Sequence, residues 1–293
     1  MSESREAARQ RASELRAEHR RHDRRQRTAL ILGITGGMLV VAVIVVVALS
    51  TPRTPATGPA NMLSDGIKIG QNLVAVPTVG LKADQTPVAS STNAPNVVDI
   101  QIYVDYLCPN CGQFEKRNRD TLREWVESGA ATVEFHPIAI FTSKSAGTQY
   151  SLRAANAAAC VAQFSPDDFY AFHDELFAEQ PEENTPGLTD EQLIAAAQTA
   201  GVADIANVTT CVHDHTYRAW VVDATNRALA GPIPGTDVAK IEATPTIIVN
   251  GQEFHYTTAF DPNEFRQFVL RVAGQSFSEN ATPTSTPTET PAP

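Results

Sequence analysis

The chain is 293 residues long, 42% hydrophobic and 19% charged, with a formal net charge of −10 at pH 7. An acidic balance of this size argues against nucleic acid as a partner, since a surface that neutralises phosphates is basic. The length has room for two domains, but neither end has the composition of a globular fold, which leaves one central domain between two tails.

Residues 1–27 form a polar, basic segment with nine arginines against five acids. From Thr28 to Leu49 run 22 residues without a charge, dense in Val, Ile, Leu and Gly. As a helix this stretch is about 33 Å long, enough for a hydrocarbon core of ~30 Å. A cleavable signal has an apolar region of only about 7–15 residues, so a retained transmembrane anchor is expected. Ala48-Leu49-Ser50 is a passable cleavage site, and removal is the alternative. The arginines stay cytoplasmic, which puts everything after Ser50 outside the membrane. The expected location is therefore a single-pass cell-membrane protein with an extracytoplasmic domain. That part carries 14 basic and 28 acidic residues, which also argues against a polybasic grip on lipid. All four cysteines lie in it, where disulfides persist.

Residues 50–61, with Pro52, Pro55, Gly58 and Pro59, read as a tether. Residues 62–275 form the folded domain. Gly66–Gly70 and Asn72–Val76 are short β-like pieces expected to make a small hairpin ahead of the main domain, and Lys82–Asn96 is loop. Val97–Val104 alternates as a strand, with Val98, Ile100, Ile102 and Val104 on one side. A helix follows from about Gly112 to Glu127, ended by Gly129. Ala131–Ile140 is a second strand, broken or ended near Pro137. A strand–helix–strand unit of this length requires a crossover and a parallel pair.

The block from about 141 to 235 reads as helical. Its expected helices are Thr148–Phe164, a run from Ser165 to Glu179, one from Thr189 to Ala200, and a long one over Ile205–Ala230. Thr246–Val249 is then a strand, Asn250-Gly251 a strong two-residue hairpin signal, and Gln252–Tyr256 the return strand. A last helix starts at Asp261-Pro262, with Phe265, Phe268, Val269 and Val272 sharing a face. From Ser276 the Thr-, Pro- and Ser-rich tail cannot bury a core and is expected to be disordered. The two flanking β pieces make one mixed sheet with the helical block inserted between them.

Cys108 and Cys111 enclose Pro109 and Asn110 where the first strand hands over to a helix. A strand that delivers a Cys-x-x-Cys to a helix N-terminus is a redox arrangement. Unpaired N–H groups and the positive end of the helix dipole favour an anion there. That lowers the pKa of Cys108, and the thiolate is the form that attacks disulfides. A depression of about two units favours the thiolate by ~2.7 kcal/mol. Pro109 suits the first turn, where its missing N–H costs nothing. Cys111, one turn further in, is shielded and acts as the resolving thiol. The competing use is half of a zinc site, which needs a second pair of ligands. Cys160 and Cys211 stand singly, and His213 and His215 diverge on a helix, so no metal is expected.

The run Asp105–Cys111 together with Ala243–Gly251 resembles the DsbA-like branch of the thioredoxin superfamily. The match covers about Ile67 to Gly274. The resemblance implies an α/β thioredoxin fold with a helical insertion, acting without a cofactor as an extracytoplasmic thiol–disulfide oxidoreductase. In that family the proline matching Pro245 is cis and lies against the redox pair, and the backbone of Thr244 pairs with a bound substrate strand. Many members carry a buried acid six residues before the first cysteine, where this chain has Ile102. Asp105 is nearer in sequence, with nothing to say where it points.

Cys160 and Cys211 fall on apolar stripes of the helical block. The simplest reading outside the cytoplasm is a structural disulfide between them, and the alternative is two buried free thiols. The leading functional expectation is a dithiol oxidase that gives its disulfide to exported proteins bearing thiols. The resemblance implies reoxidation by a membrane partner of the DsbB or vitamin K epoxide reductase type. The alternatives are a reductase or isomerase of envelope disulfides, and a redox-inert thioredoxin-like binding module.

Overall fold

The computed structural model describes residues 56–257 and 260–281, with side chains as far as residue 275. The basic segment 1–27, the expected anchor 28–49, tether residues 50–55 and tail residues 282–293 lie outside the described residues. Among the described residues no helix is long and apolar enough to cross a membrane.

The sheet has five strands in the order β1-β3-β2-β4-β5. β2 (Val98–Val104) is central, parallel to β3 (Ala131–Pro137) and antiparallel to β4 (Thr246–Val249). The crossover between β2 and β3 is α1 (Pro109–Ser128), closed by Gly129 in the left-handed conformation at φ 79°. Glycine reaches that region without the Cβ clash other residues meet. Ile100, Ile102 and Val104 are fully buried on one face of β2. Tyr103, on the other, packs with Ile138, Ile233, Ile241 and Ile248 in a smaller apolar cluster. Both faces are therefore covered, although the alternation in β2 gives one of them polar residues.

β1 (Ile67–Ile69) makes the expected short hairpin, with Gly70 N–H donating to the Val74 carbonyl and Val76 N–H to the Lys68 carbonyl at 2.8 Å each, but it is no separate unit, because it also joins the main sheet. It adds antiparallel to β3, pairing Ile67 with Phe135 and Ile69 with Val133, and the expected return piece contributes one bridge, Ile69 to Ala75. Burial decides this: Ile67 and Ile69 are fully enclosed against the sheet, while Asn72 and Leu73 turn away at positive φ. At the opposite edge, Asn250-Gly251 joins β4 to β5 (Gln252–Phe254) with φ of 45° and 83°. β5 stops two residues short of Tyr256, whose ring packs edge-on against Phe254 at 4.5 Å.

The insertion holds α2 (Tyr150–Phe164), α3 (Phe169–Ala178), α4 (Asp190–Thr199), α5 (Ile205–His213) and α6 (Arg218–Ala230). α2 is its axis, and six buried alanines on it let neighbouring helices approach closely. Thr189 caps α4 in a reciprocal box with Gln192. The expected helix Ile205–Ala230 is two. The chain turns at His215, φ 49°, and the Tyr217 N–H donates to Asn156 Oδ1 at 2.8 Å. A straight helix of that length would run ~39 Å and leave α2 behind. The break keeps both Cys211 and Trp220 in the core. The final helix, α7 (Pro262–Ala281), continues six residues into the stretch expected to be disordered. Phe265 and Val272 on it are fully buried, each contributing roughly 1.5–3 kcal/mol of apolar burial.

Candidate active site

At the end of β2 the chain makes a turn, Asp105 to Leu107, before α1 begins at Pro109. The Asp105 carboxyl is fully buried and accepts from three donors: Leu107 N–H at 2.9 Å, Ser151 hydroxyl at 2.7 Å and Phe141 N–H at 2.8 Å. Burial pushes its pKa up, and those hydrogen bonds pull it back. Its oxygens thus tie the redox turn to the insertion. The Cys108 N–H in turn donates to the Asp105 carbonyl at 3.0 Å.

Cys108 occupies the N-cap of α1, with φ −70° and ψ 118°, and Pro109 is its first helical residue. The helix begins at Pro109, three residues before the apolar pattern from Gly112, so Pro109 stands in the first turn as expected. Both thiols are free, with Cys108 1% and Cys111 0% exposed. The Cys108 pKa is brought down from 9.0 to about 7, first by the Cys111 thiol donating to it. Burial opposes this, and Thr244 and the N–H groups of Cys111 and Asn110 assist. Burial, together with the neighbouring Cys108 sulfur, pushes the Cys111 thiol well up. The two sulfurs are thereby separated into an attacking thiol and a resolving one.

Thr244-Pro245 is a cis peptide bond, and it lies against the first sulfur. Cys108 Sγ donates to the Thr244 carbonyl at 3.2 Å. The buried Thr244 hydroxyl has no partner while Cys108 is a thiol, and it is placed to donate once Cys108 is a thiolate. β4 begins directly after Pro245, with Thr246 paired to Tyr103 of β2, so both halves of the site hang from adjacent strands. A cavity of about 620 Å³ flanks Pro245, lined by Lys240, Glu242, Phe254 and Tyr256 among others. A second, about 650 Å³, runs beside Pro109 between α1 and Gln180. A wider one, about 870 Å³, opens at the far end of the sheet around residues 89–97 and holds neither cysteine.

Cys160 and Cys211 are joined in a disulfide between α2 and α5, Cα–Cα 5.8 Å. It is well separated in the chain from the redox pair and belongs to the insertion. Among the described residues, no group of three or more His, Cys, Asp or Glu side chains is placed to hold a metal ion. Three further residues at the site were not singled out from the sequence: Gln180, Glu115 and His173. Gln180 and His173 give no local signal, since each is brought in by the insertion. Glu115 does give one, because a residue four positions after Cys111 shares its helix face.

The sequence profile of the thioredoxin family matches residues 82–269. The chain belongs to that family. Similar solved structures are DsbG, a disulfide bond oxidoreductase of Mycobacterium tuberculosis in its reduced form, and DsbA of the same organism. The DsbG structure is 28% identical, covering 76% of this chain and 95% of its own, with a TM-score of 0.53. Reduced DsbA is 26% identical, covering 73% and 98%, also at 0.53. BdbD of Bacillus subtilis, 20% identical with a TM-score of 0.52, shares the fold. Among curated proteins, the serine/threonine-protein kinase PknE of M. tuberculosis is 32% identical over 120 residues, 40% of this chain. The chain spans about a fifth of the length of that relative, 21%. This thioredoxin-family member is DsbA-like, and its Cys108–Cys111 site has the arrangement of a protein-disulfide oxidoreductase.

Proposed function

We propose that the chain is a membrane-anchored, extracytoplasmic dithiol oxidase that passes the Cys108–Cys111 disulfide to exported proteins. The observation that carries the reading is the asymmetry of the two thiols: Cys108 comes down to about 7 while Cys111 is driven up. A sulfur that leaves readily as a thiolate stabilises the reduced pair, which makes the oxidised pair a better disulfide donor. A client thiolate attacks Cys108 Sγ, the bond to Cys111 breaks, and the client's second thiolate then releases Cys108. Thr244 and Pro245 border the Cys108 sulfur, so an extended client segment running past them presents its own sulfur to Cys108. Residues 28–49 supply the anchor, and a membrane reoxidant of the DsbB or vitamin K epoxide reductase type restores the disulfide. The similarity to proteins named DsbA and DsbG supports thiol–disulfide exchange as the chemistry, in either direction.

One observation favours a second reading, a reductase or isomerase. A first-thiol pKa of about 7 matches that of thioredoxin, also roughly 7, rather than that of DsbA, roughly 3.5. The reduction potential of the purified domain separates the two. A value near about −120 mV supports the oxidase, and one near about −270 mV replaces it with the reductase. A Cys108→Ser variant that keeps full biological activity would leave only a redox-inert binding module.

A further inference from the structure

The redox turn has a cavity on each side. One flanks Pro245, and the other, about 650 Å³, runs beside Pro109 between α1 and residues 177–183. The exchange steps above use the Pro245 side and leave the second groove without a part. Gly112, Glu115, Lys116 and Arg119 line that groove from α1, at spacings of three and four that put them on one helix face. Phe177, Pro181, Glu182 and Glu183 line it from the insertion. Charge pairing between the two walls stops here. One turn beyond Arg119, where α1 and α3 close on each other, Arg123 pairs with Asp174 as well as with Glu127. Among the described residues the side chains of Lys116, Glu182 and Glu183 make no ion pair. Arg119 reaches its own neighbour Asp120, at 3.8 Å.

The floor of the groove adds a carboxyl group with an acceptor to spare. Glu115 is 3% exposed, and its Oε1, 3.3 Å from His173 Nε2, makes no hydrogen bond. A buried acceptor left unsatisfied is costly until a donor reaches it. Phe177, half-buried in the same groove, supplies an aromatic wall. An acidic floor with an aromatic wall fits a cation on an apolar stem. Ring faces attract cations, and the methylene stems of Lys and Arg lie along apolar surface while the charged head reaches a polar group.

We infer that this groove is a second client subsite, taking one lysine or arginine side chain near the client's reacting cysteine, with Glu115 as its acceptor. The inference rests on the oxidoreductase reading and adds a substrate class to it. A client sulfur must come to Cys108, and the next residue, Pro109, already lines the groove, so a chain held at the sulfur continues into it. Glu182 and Glu183 add negative charge on the insertion side and draw the cation in. Lys116 and Arg119, both exposed on the α1 wall, repel a second cation, so a single base is favoured over a run of them. At the inner end Gly112 carries no side chain, and the Gln180 amide crosses there to the Cys108 carbonyl at 2.9 Å. The subsite is thereby tied to the turn that holds the reactive sulfur.

The test uses the oxidised full chain and synthetic dithiol peptides that differ in one residue, lysine or glutamate, placed at successive positions either side of the first cysteine. Stopped flow gives each exchange rate. Dividing it by the same peptide's rate with a small aromatic disulfide removes the effect of the added charge on the peptide's own thiol. At the best position the lysine peptide should exchange about tenfold faster than its glutamate counterpart, the order expected of one charge-assisted hydrogen bond. In Glu115→Gln that ratio should fall toward one. A wild-type ratio near one at every position, or a ratio that folded Glu115→Gln leaves unchanged, overturns the subsite alone. A wild-type chain inert toward every peptide overturns the oxidoreductase reading and the subsite with it. If Glu115→Gln fails to fold, the double variant Glu182→Gln/Glu183→Gln, outside any helix, decides the matter. It should lower the ratio about threefold, and an unchanged ratio overturns the subsite.

Discussion

The Gln180 side-chain amide, just beyond α3, donates to the Cys108 carbonyl at 2.9 Å and to the Tyr106 carbonyl at 3.2 Å. A residue of the insertion therefore holds the first turn of α1 in place beneath the reactive sulfur. Gly112 belongs to the same contact, since a Cβ there would come 2.0 Å from Gln180 Oε1. Gln180→Ala should lower stability by about 1–3 kcal/mol, two hydrogen bonds at roughly 0.5–1.5 each. Thermal denaturation measures that loss. Insulin reduction assays should show a several-fold slower exchange, with Gly112→Ala changing in the same direction because it displaces the amide.

Thr244→Val removes a hydroxyl and keeps the shape of the side chain. The Cys108 thiolate loses a donor, so its pKa should rise from about 7 toward the ordinary 9.0. A charge-assisted hydrogen bond of ~1.5 kcal/mol corresponds to about one unit. The thiolate absorbance near 240 nm, followed against pH, reads the shift directly. An unmoved titration would assign the lowered pKa to the helix terminus and Cys111 instead.

The reduced protein should gain stability as pH rises from about 7 to 9. Cys108 is an acid whose folded pKa lies below its unfolded value, so its contribution is complete above the unfolded value and disappears as pH falls through the folded one. Two units bound that contribution at about 2.7 kcal/mol. Above pH 9 the trend should reverse, because Cys111 is held up by burial and the unfolded chain then ionises more readily than the native one. Urea unfolding of the reduced domain at pH 6, 7.5, 9 and 10 traces the curve. The Cys108→Ser variant should lose the rising limb.

Breaking the bridge of the insertion should cost stability without abolishing redox chemistry. Cys160 and Cys211 are separated by 51 positions, and closing a loop of that size contributes ~4 kcal/mol in the chain-entropy model. The double variant Cys160→Ala/Cys211→Ala should therefore unfold at markedly lower urea. Its Cys108 titration should stay at the wild-type value, since neither residue touches the redox turn.

Local chemistry made most of the architecture legible. The alternation in Val98–Val104, the glycine at 129 and the Asn250-Gly251 turn each specify their own geometry, and the strand–helix–strand unit follows from them. What could not be read came from distant segments. Ile67 and Ile69 read as part of a hairpin, which forms, but nothing local shows that β3 offers them an open edge as well. Residues 205–230 read as one helix because nothing local announces that Asn156 will accept from Tyr217. At the site, Cys108, Cys111, Thr244 and Pro245 were marked by their own motifs, and the structure brings the four together. Gln180 and His173 carry no motif: their positions depend on how α3 packs across α1. Asp105 was ambiguous for the same reason, since two of its three donors, Ser151 and Phe141, lie more than 30 residues away.

The bond between Cys160 and Cys211 has a consequence for how this chain comes into being. It leaves the ribosome with four thiols, and two of them must be oxidised once and permanently before the insertion reaches its finished form. Each new copy therefore begins by giving up two electrons at that bridge, and its supply depends on an oxidant already at work where the chain folds.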